Sequence, residues 1–205
     1  DDFTDVIDLI NMKQIRWNEE ALGATYELLP IGDNHLAQAE EYRDKMLEAV
    51  AEYDDEVMEA YLSELPIDSS RLLDAIRNAV ISLKLVPVLC GSALRNKGIQ
   101  PLLDAIVNFL PSPIDIPPIK GSHPETGEVI ECIAKDGEPL AALIFKVSMV
   151  EGRKLSFVRV YSGKMKAGGE VYNPALKKKE KLARILQMHA NKRERIDTVG
   201  AGFIV

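Results

Sequence analysis

The sequence predicts an α+β chain of at least two modules. Three observations carry this reading. Apolar residues recur every three or four positions along 36–61 and again along 72–83, the period of helices that bury one face. Beyond residue 121 that period gives way to short strand-like runs separated by glycine turns, as in a small β-barrel. Between the two patterns lies PSPIDIPPIKG (111–121), whose four prolines force extended backbone and mark a linker.

Charge divides along the same line. The whole chain of 205 residues carries a net charge of −7. Residues 1–85 hold 20 acidic and 7 basic side chains, whereas 152–195 hold 13 basic and 3 acidic ones. The basic part suits a phosphate backbone, and equally a solvated basic surface. No apolar run is long enough to span a membrane, and no signal-peptide pattern opens the chain. Cys90 and Cys132 are too few for a disulfide framework and fit a reducing cytoplasm. His35, His123 and His189 show no metal-ligand spacing. Both ends read as cut: the chain opens in the strand-like DDFTDVIDLI and stops in the apolar AGFIV, which points to a fragment.

The elements follow in order. FTDVIDLI, KQIRW and ATYELLPI predict a small antiparallel sheet around turns at Asn18 and Gly23. Asn34 is the expected cap of one long helix, with Leu36, Ala39, Tyr42, Met46, Val50, Tyr53, Val57 and Tyr61 on its apolar face. Acidic residues fill the opposite face and read as solvated. Asp68 caps a second helix with Leu72, Leu73, Ile76, Ala79, Val80 and Leu83 inside. Residues 85–90 then read as a strand covered on both faces, with Pro87 near an edge or bulge. A further helix runs from about Ile99 to Leu110, with Pro101 in its first turn and Leu102, Leu103, Ile106, Phe109 and Leu110 on its apolar face. After the linker, LAALIFKVSM, KLSFVRVY, EVYN, KLARILQM and AGFIV supply at least five strands.

Little of this carries chemistry. There is no Gly-x-x-x-x-Gly-Lys-Ser/Thr phosphate loop and no hydrolase elbow, so nothing supports an enzyme acting alone. Two candidates remain. Gly91-Ser92-Ala93 stands at the carboxyl end of the 85–90 segment, where small side chains let backbone N–H groups approach a planar ligand; a plain turn is the simpler alternative. The loop 187–195 offers His189, Asn191, Lys192, Arg193 and Arg195, and the tip 176–181 offers Lys177, Lys178 and Lys179, either for phosphates or for solubility.

Along nearly its whole length the sequence resembles elongation factor G, the bacterial translational GTPase. The resemblance rests on VIDLINMKQIRWNEEALGATYE, LVPVLCGSALRNKGIQPLLDAIVNFLPSPIDIPPIKG, LSFVRVYSG and ILQMHANKRERIDTVGAG. It implies that 1–85 is most of the small α/β insertion subdomain of the GTPase domain. Residues 86–110 would be the last strand and helix of that P-loop domain, 111–121 the linker, and 122–205 a truncated translation-factor β-barrel. It implies that Gly91, Ser92, Ala93 and Leu94 form the guanine-base edge, with the Ala93 N–H meeting O6. The phosphate loop, the switches and the Asn-Lys-x-Asp are absent from this chain, so it is expected to be inactive alone and to bind neither GTP, GDP nor magnesium. The longer parent would be a GTP hydrolase using GTP with magnesium.

The expected partners are the ribosomal stalk protein's C-terminal domain, through the insertion subdomain, and small-subunit ribosomal RNA, through the barrel. The 189–195 loop would touch RNA or the GTPase switches. A cytoplasmic monomer that drives translocation is expected; a ribosome-recycling paralogue and a non-catalytic docking module are the alternatives. One departure bears on the choice. The turn in SMVEGRKLSFVRVYSG, at 149–154, is compact and lacks the Asp-Pro that family members often carry there.

Overall fold

The computed structural model describes residues 3–150, 152–190 and 192–205. The chain divides into two compact units, one up to Leu110 and one from Pro111. Among the described residues no helix is long and apolar enough to cross a membrane.

The first unit opens with an antiparallel sheet of order β1 (Asp5–Asp8), β2 (Lys13–Trp17) and β3 (Tyr26–Leu29). β1 is shorter than its apolar run. The Asp8 carboxylate accepts the N–H groups of Ile10 (2.9 Å) and Asn11 (3.2 Å), which turns the chain before Leu9 and Ile10 can extend the strand. β2 alternates as a half-buried strand should: Ile15 and Trp17 face inward, while Arg16 faces out to Asp5.

The long helix expected from Asn34 to Tyr61 is two helices, α1 (Asp33–Ala51) and α2 (Asp55–Leu62). Asn34 is not the cap. Gly32 precedes the helix, and its carbonyl accepts the His35 and Leu36 N–H groups. The break at 52–54 has a local cause. Asp54 is extended (φ −148°, ψ 111°), and its carboxylate accepts the Val57 N–H at 3.1 Å, starting a new helix. Val50 and Val57 still enter one core from either side of the break, whereas Leu36, Tyr42 and Tyr53 of the predicted stripe are exposed.

Asp68 caps α3 (Ser69–Ile81) by accepting the Ser70 N–H at 3.0 Å. α3 and α4 (Ile99–Phe109) complete the core: Leu72 is fully buried among Val50, Val57, Ile76, Ala105 and Phe109. The Arg77 guanidinium donates to the Asn108 carbonyl (2.6 Å), a cation at the carboxyl end of α4. α4 buries only Ala105 and Phe109. Leu102, Leu103, Ile106 and Leu110, expected inside, are exposed.

A second correction concerns 85–90. The segment belongs to no strand, and Val86 and Val88 are 86% and 88% exposed. A strand exists only against a neighbour, and none of the described strands lies beside it. The division expected at 85/86 is not a break in packing either, because Leu85, Ala105 and Phe109 join the core of the preceding helices.

Arg71 binds Asp54 and also Glu56 (2.7 Å). The Arg71 hydrogen bond holds the Asp54 carboxyl below its ordinary value, against the opposing effect of burial. The sign follows from linkage. A depressed carboxylate contributes stability above its unfolded value and loses it as pH falls through the folded one. Acid titration is expected to weaken the first unit from about pH 4 downward, and Asp54→Asn should flatten that dependence in urea melts at pH 3 to 7.

The second unit is made of antiparallel ladders. β4 (Ile119–Ser122) pairs β5 (Val129–Cys132), so the linker ends at 118 rather than 121. β6 (Ala141–Val150) pairs β7 (Arg153–Ser162), with a bulge at Phe145. β8 (Met165–Lys166) pairs β13 (Thr198–Val199), β9 (Glu170–Asn173) pairs β10 (Lys178–Lys181), and β11 (Ile185–His189) pairs β12 (Lys192–Ile196). KLARILQM is therefore not one strand: Lys181 ends β10 and Ile185 begins β11. The last residues run along β7, with Val158 and Val205 exchanging both backbone hydrogen bonds (2.7 and 2.9 Å). Val160, Met165, Ile185 and Val199 form the core.

Candidate functional site

The Gly-Ser-Ala segment closes into a small loop. Ser92 and Lys97 exchange backbone hydrogen bonds, Ser92 N–H to Lys97 carbonyl at 2.8 Å and the reverse at 3.0 Å. Inside that bridge, Ala93–Arg95 make one 3₁₀ turn. The Arg95 and Asn96 N–H groups bond back to the Ser92 and Ala93 carbonyls (3.0 and 3.1 Å). Ala93 and Leu94 open the turn, the position where a helix has no internal acceptor for its N–H groups. Both are exposed, Leu94 at 98%.

Glycine is required at the base of this loop. A Cβ on Gly91 would stand 2.9 Å from the Lys97 carbonyl oxygen. One on Gly98, which has φ +85°, would stand 2.8 Å from Gly91 Cα and 2.9 Å from the Cys90 carbonyl oxygen. The two glycines thus let the chain cross itself closely and open α4 immediately afterward.

The loop rests on the sheet. Lys97 is 3% exposed, and its ammonium donates to the Phe3 carbonyl (3.0 Å) and to Glu19 (2.9 Å). That hydrogen bond from Lys97 holds the Glu19 carboxyl below its ordinary value. One turn further, the Gln100 amide donates to the Gly23 carbonyl (2.9 Å) and its oxygen accepts from the Trp17 indole (3.1 Å). Gly23 has φ +73° and lies against the loop: a Cβ there would be 2.7 Å from the Asn96 oxygen and 2.8 Å from the Arg95 oxygen. Lys97, Gln100, Trp17 and Glu19 were not among the residues singled out by sequence. The available signal was a lysine enclosed between Asn96 and Gly98 in a tight loop.

The basic candidates lie on two separate hairpins of the second unit. Lys177 sits in the β9–β10 turn at φ +51°, and Lys178 and Lys179 are on β10. Tyr172 pairs with Lys179, and Asn173 with Lys178, so these two lysines point to opposite faces. Lys178 also meets Glu180 at 3.6 Å. Within 187–195, residues 187–189 belong to β11 and 192–195 to β12, so most of this segment is strand rather than loop. His189 pairs with Lys192, Met188 with Arg193 and Leu186 with Arg195. His189 and Lys192 therefore share one face, and Arg193 and Arg195 the other. His189 lies 3.4 Å from Glu194, so this hairpin is not uniformly basic. Asn191 lies outside the described residues. The 149–154 hairpin pairs Val150 with Arg153, with Gly152 at φ +72°; Glu151 lies outside the described residues.

Among the described residues no group of three or more His, Cys, Asp or Glu side chains could hold a metal ion. Both cysteines are free thiols.

Known proteins resemble this chain along its whole length. Residues 139–205 match the sequence model of elongation factor G domain 2. All 205 residues align at 53% identity with elongation factor G 2 of Syntrophus aciditrophicus (strain SB), covering 30% of it. They align at 49% with elongation factor G of Aquifex pyrophilus, covering 29%. A crystal structure of a Thermus thermophilus protein superposes on 97% of this chain and 26% of its own, with a TM-score of 0.71 at 25% identity. The chain spans about three tenths of the length of these curated relatives.

Proposed function

We propose that this chain, similar along its whole length to elongation factor G proteins, is a segment of a cytoplasmic, monomeric GTPase of that family that drives movement of tRNA and mRNA through the ribosome. The observation that carries this reading is identity of 53% and 49% over alignments that take in all 205 residues, and so both units.

On this reading the first unit combines most of the insertion subdomain with the last helix of the GTPase domain. The exposed apolar residues Val86, Val88, Leu102 and Leu103 support it, since large apolar surface usually has a partner. The second unit is the start of the β-barrel domain. The loop Gly91–Leu94 lies at the edge of the guanine base, where the Ala93 N–H, at the open end of a 3₁₀ turn, donates to O6. Ser92 shapes the turn and Leu94 flanks the base. GTP with magnesium supplies the hydrolysable phosphate chain, which other parts of the parent hold. This chain alone neither binds nor hydrolyses it. The insertion subdomain meets the C-terminal domain of the ribosomal stalk protein. The hairpins carrying Lys177–Lys179 and His189–Arg195 meet small-subunit RNA.

The family match also fits a second reading, the ribosome-recycling paralogue, because the sequence at 149–154 lacks the Asp-Pro that family members often carry there and leaves the choice between the two open. The parent protein is expected to hydrolyse GTP much faster with ribosomes than without. GTP turnover that ribosomes leave unchanged would refute both readings.

A further inference from the structure

We propose that Lys97 and Gln100 are positioning residues that tie the base-edge loop to the β1–β2–β3 sheet, so that the sheet sets where the Ala93 N–H points. The inference rests on the reading of Ser92 and Ala93 as the guanine edge.

The loop has two sides. Ala93 and Leu94 are exposed, whereas Lys97, four residues from Ala93, is buried. An exposed loop leaves its lysines in water, because burying an ammonium costs free energy unless it is paired and hydrogen-bonded. Here the ammonium is both, through the Phe3 carbonyl and Glu19, partners 94 and 78 residues away in sequence. The backbone of the same residue forms both rungs of the bridge that closes the loop. Lys97 therefore joins the loop's closure to the segment that leads into β1 and to the turn between β2 and β3.

Gln100 makes a second tie. Its amide joins the Gly23 carbonyl to the Trp17 indole, and Trp17 is 3% exposed in β2. Asn18 holds that turn in shape, accepting the Glu20 N–H on its side chain (2.9 Å) and the Gly23 N–H on its carbonyl (3.0 Å). Gly23 then touches the Arg95 and Asn96 carbonyls, at the far end of the 3₁₀ turn that Ala93 begins. A rigid turn of three residues transmits a shift at Asn96 to Ala93. A hydrogen bond weakens steeply with misalignment, so a small tilt is enough to lose the contact to O6.

The test uses the full-length protein and two nucleotides: GDP, and 2-aminopurine riboside diphosphate, which lacks O6 and with it the N1 proton, so that each variant is read by its effect on the ratio of the two affinities. Ala93→Pro removes the N–H, and Ser92 is already extended (φ −125°, ψ 92°), as a residue before proline must be. It should weaken GDP by about tenfold and leave the analogue unchanged. Lys97→Met and Gln100→Met should each shrink the preference for GDP over the analogue by about fivefold, while Lys97→Arg keeps most of it. Glu19→Gln, whose side chain is largely exposed, gives a smaller shift in the same direction and covers the case in which Lys97→Met does not fold. Equal loss on both nucleotides, or an unchanged ratio beside a selective effect of Ala93→Pro, overturns the positioning role and leaves the base-edge reading intact. No selective effect of Ala93→Pro overturns the base-edge reading, and the positioning role with it.

Discussion

Leu72→Ala is expected to destabilise the first unit by about 3 kcal/mol. Leu72 has no exposed surface and stands where α1, α2, α3 and α4 converge, against Val50, Val57, Ala105 and Phe109. Truncation loses the transfer free energy of its buried methyl groups and leaves a cavity. The surrounding helices cannot close that cavity without pulling away from one another. The neighbouring Leu73 is only partly buried, so Leu73→Ala should cost roughly half as much. Urea unfolding followed by tryptophan fluorescence reads this unit selectively, because the chain's one tryptophan, Trp17, lies in it. The midpoint should fall with the slope unchanged. A loss below about 1 kcal/mol would mean that the four-helix core is loosely packed.

Gly163→Ala should have a comparable effect in the second unit, about 3 kcal/mol. Two penalties act together. Gly163 has φ +70°, which L side chains rarely adopt, and a Cβ would stand 2.5 Å from the Glu138 oxygen and 2.7 Å from the Leu140 nitrogen. The obstacle is backbone, which no rotamer change can move aside. The contact is held from both flanks: the Gly163 N–H donates to the Lys135 carbonyl (2.9 Å), and the buried Ser162 hydroxyl donates to the Pro139 carbonyl (2.7 Å). Gly152 also has positive φ, but nothing lies within 4 Å of the Cβ it would carry, so Gly152→Ala should suffer only the conformational strain. Thermal melts of the two variants by circular dichroism compare them. Equal losses would show that strain alone, rather than the clash, governs Gly163.

What the sequence made legible was local. KQIRW alternates, and it is β2. Asp68 precedes a helical stripe, and it caps α3. The apolar runs at 140–149 and 154–161 are the paired strands β6 and β7. Where the reading missed, the deciding interaction lay elsewhere in the chain or was one hydrogen bond. Periodicity continued smoothly across Asp54, but the choice between helix interior and cap is made by one carboxylate meeting the Val57 N–H. Residues 85–90 have strand composition, but none of the described strands lies beside them. The apolar stripe of α4 says that it can be buried, not that anything here covers it. At the candidate site the small residues of the loop were visible, since Gly91 and Gly98 are required by close approach. Its support was not, because Lys97 and Gln100 find their partners more than seventy residues away.

The measurement that bears most directly on the proposed role is single-round translocation by the full-length protein, on ribosomes stalled before translocation and supplied with GTP. Rapid, GTP-dependent movement of tRNA and mRNA is the predicted result and identifies this chain as part of the translocating factor. Ribosome-stimulated GTP turnover without movement would contradict it and assign the chain to the recycling paralogue, with the 149–154 turn the first segment to exchange.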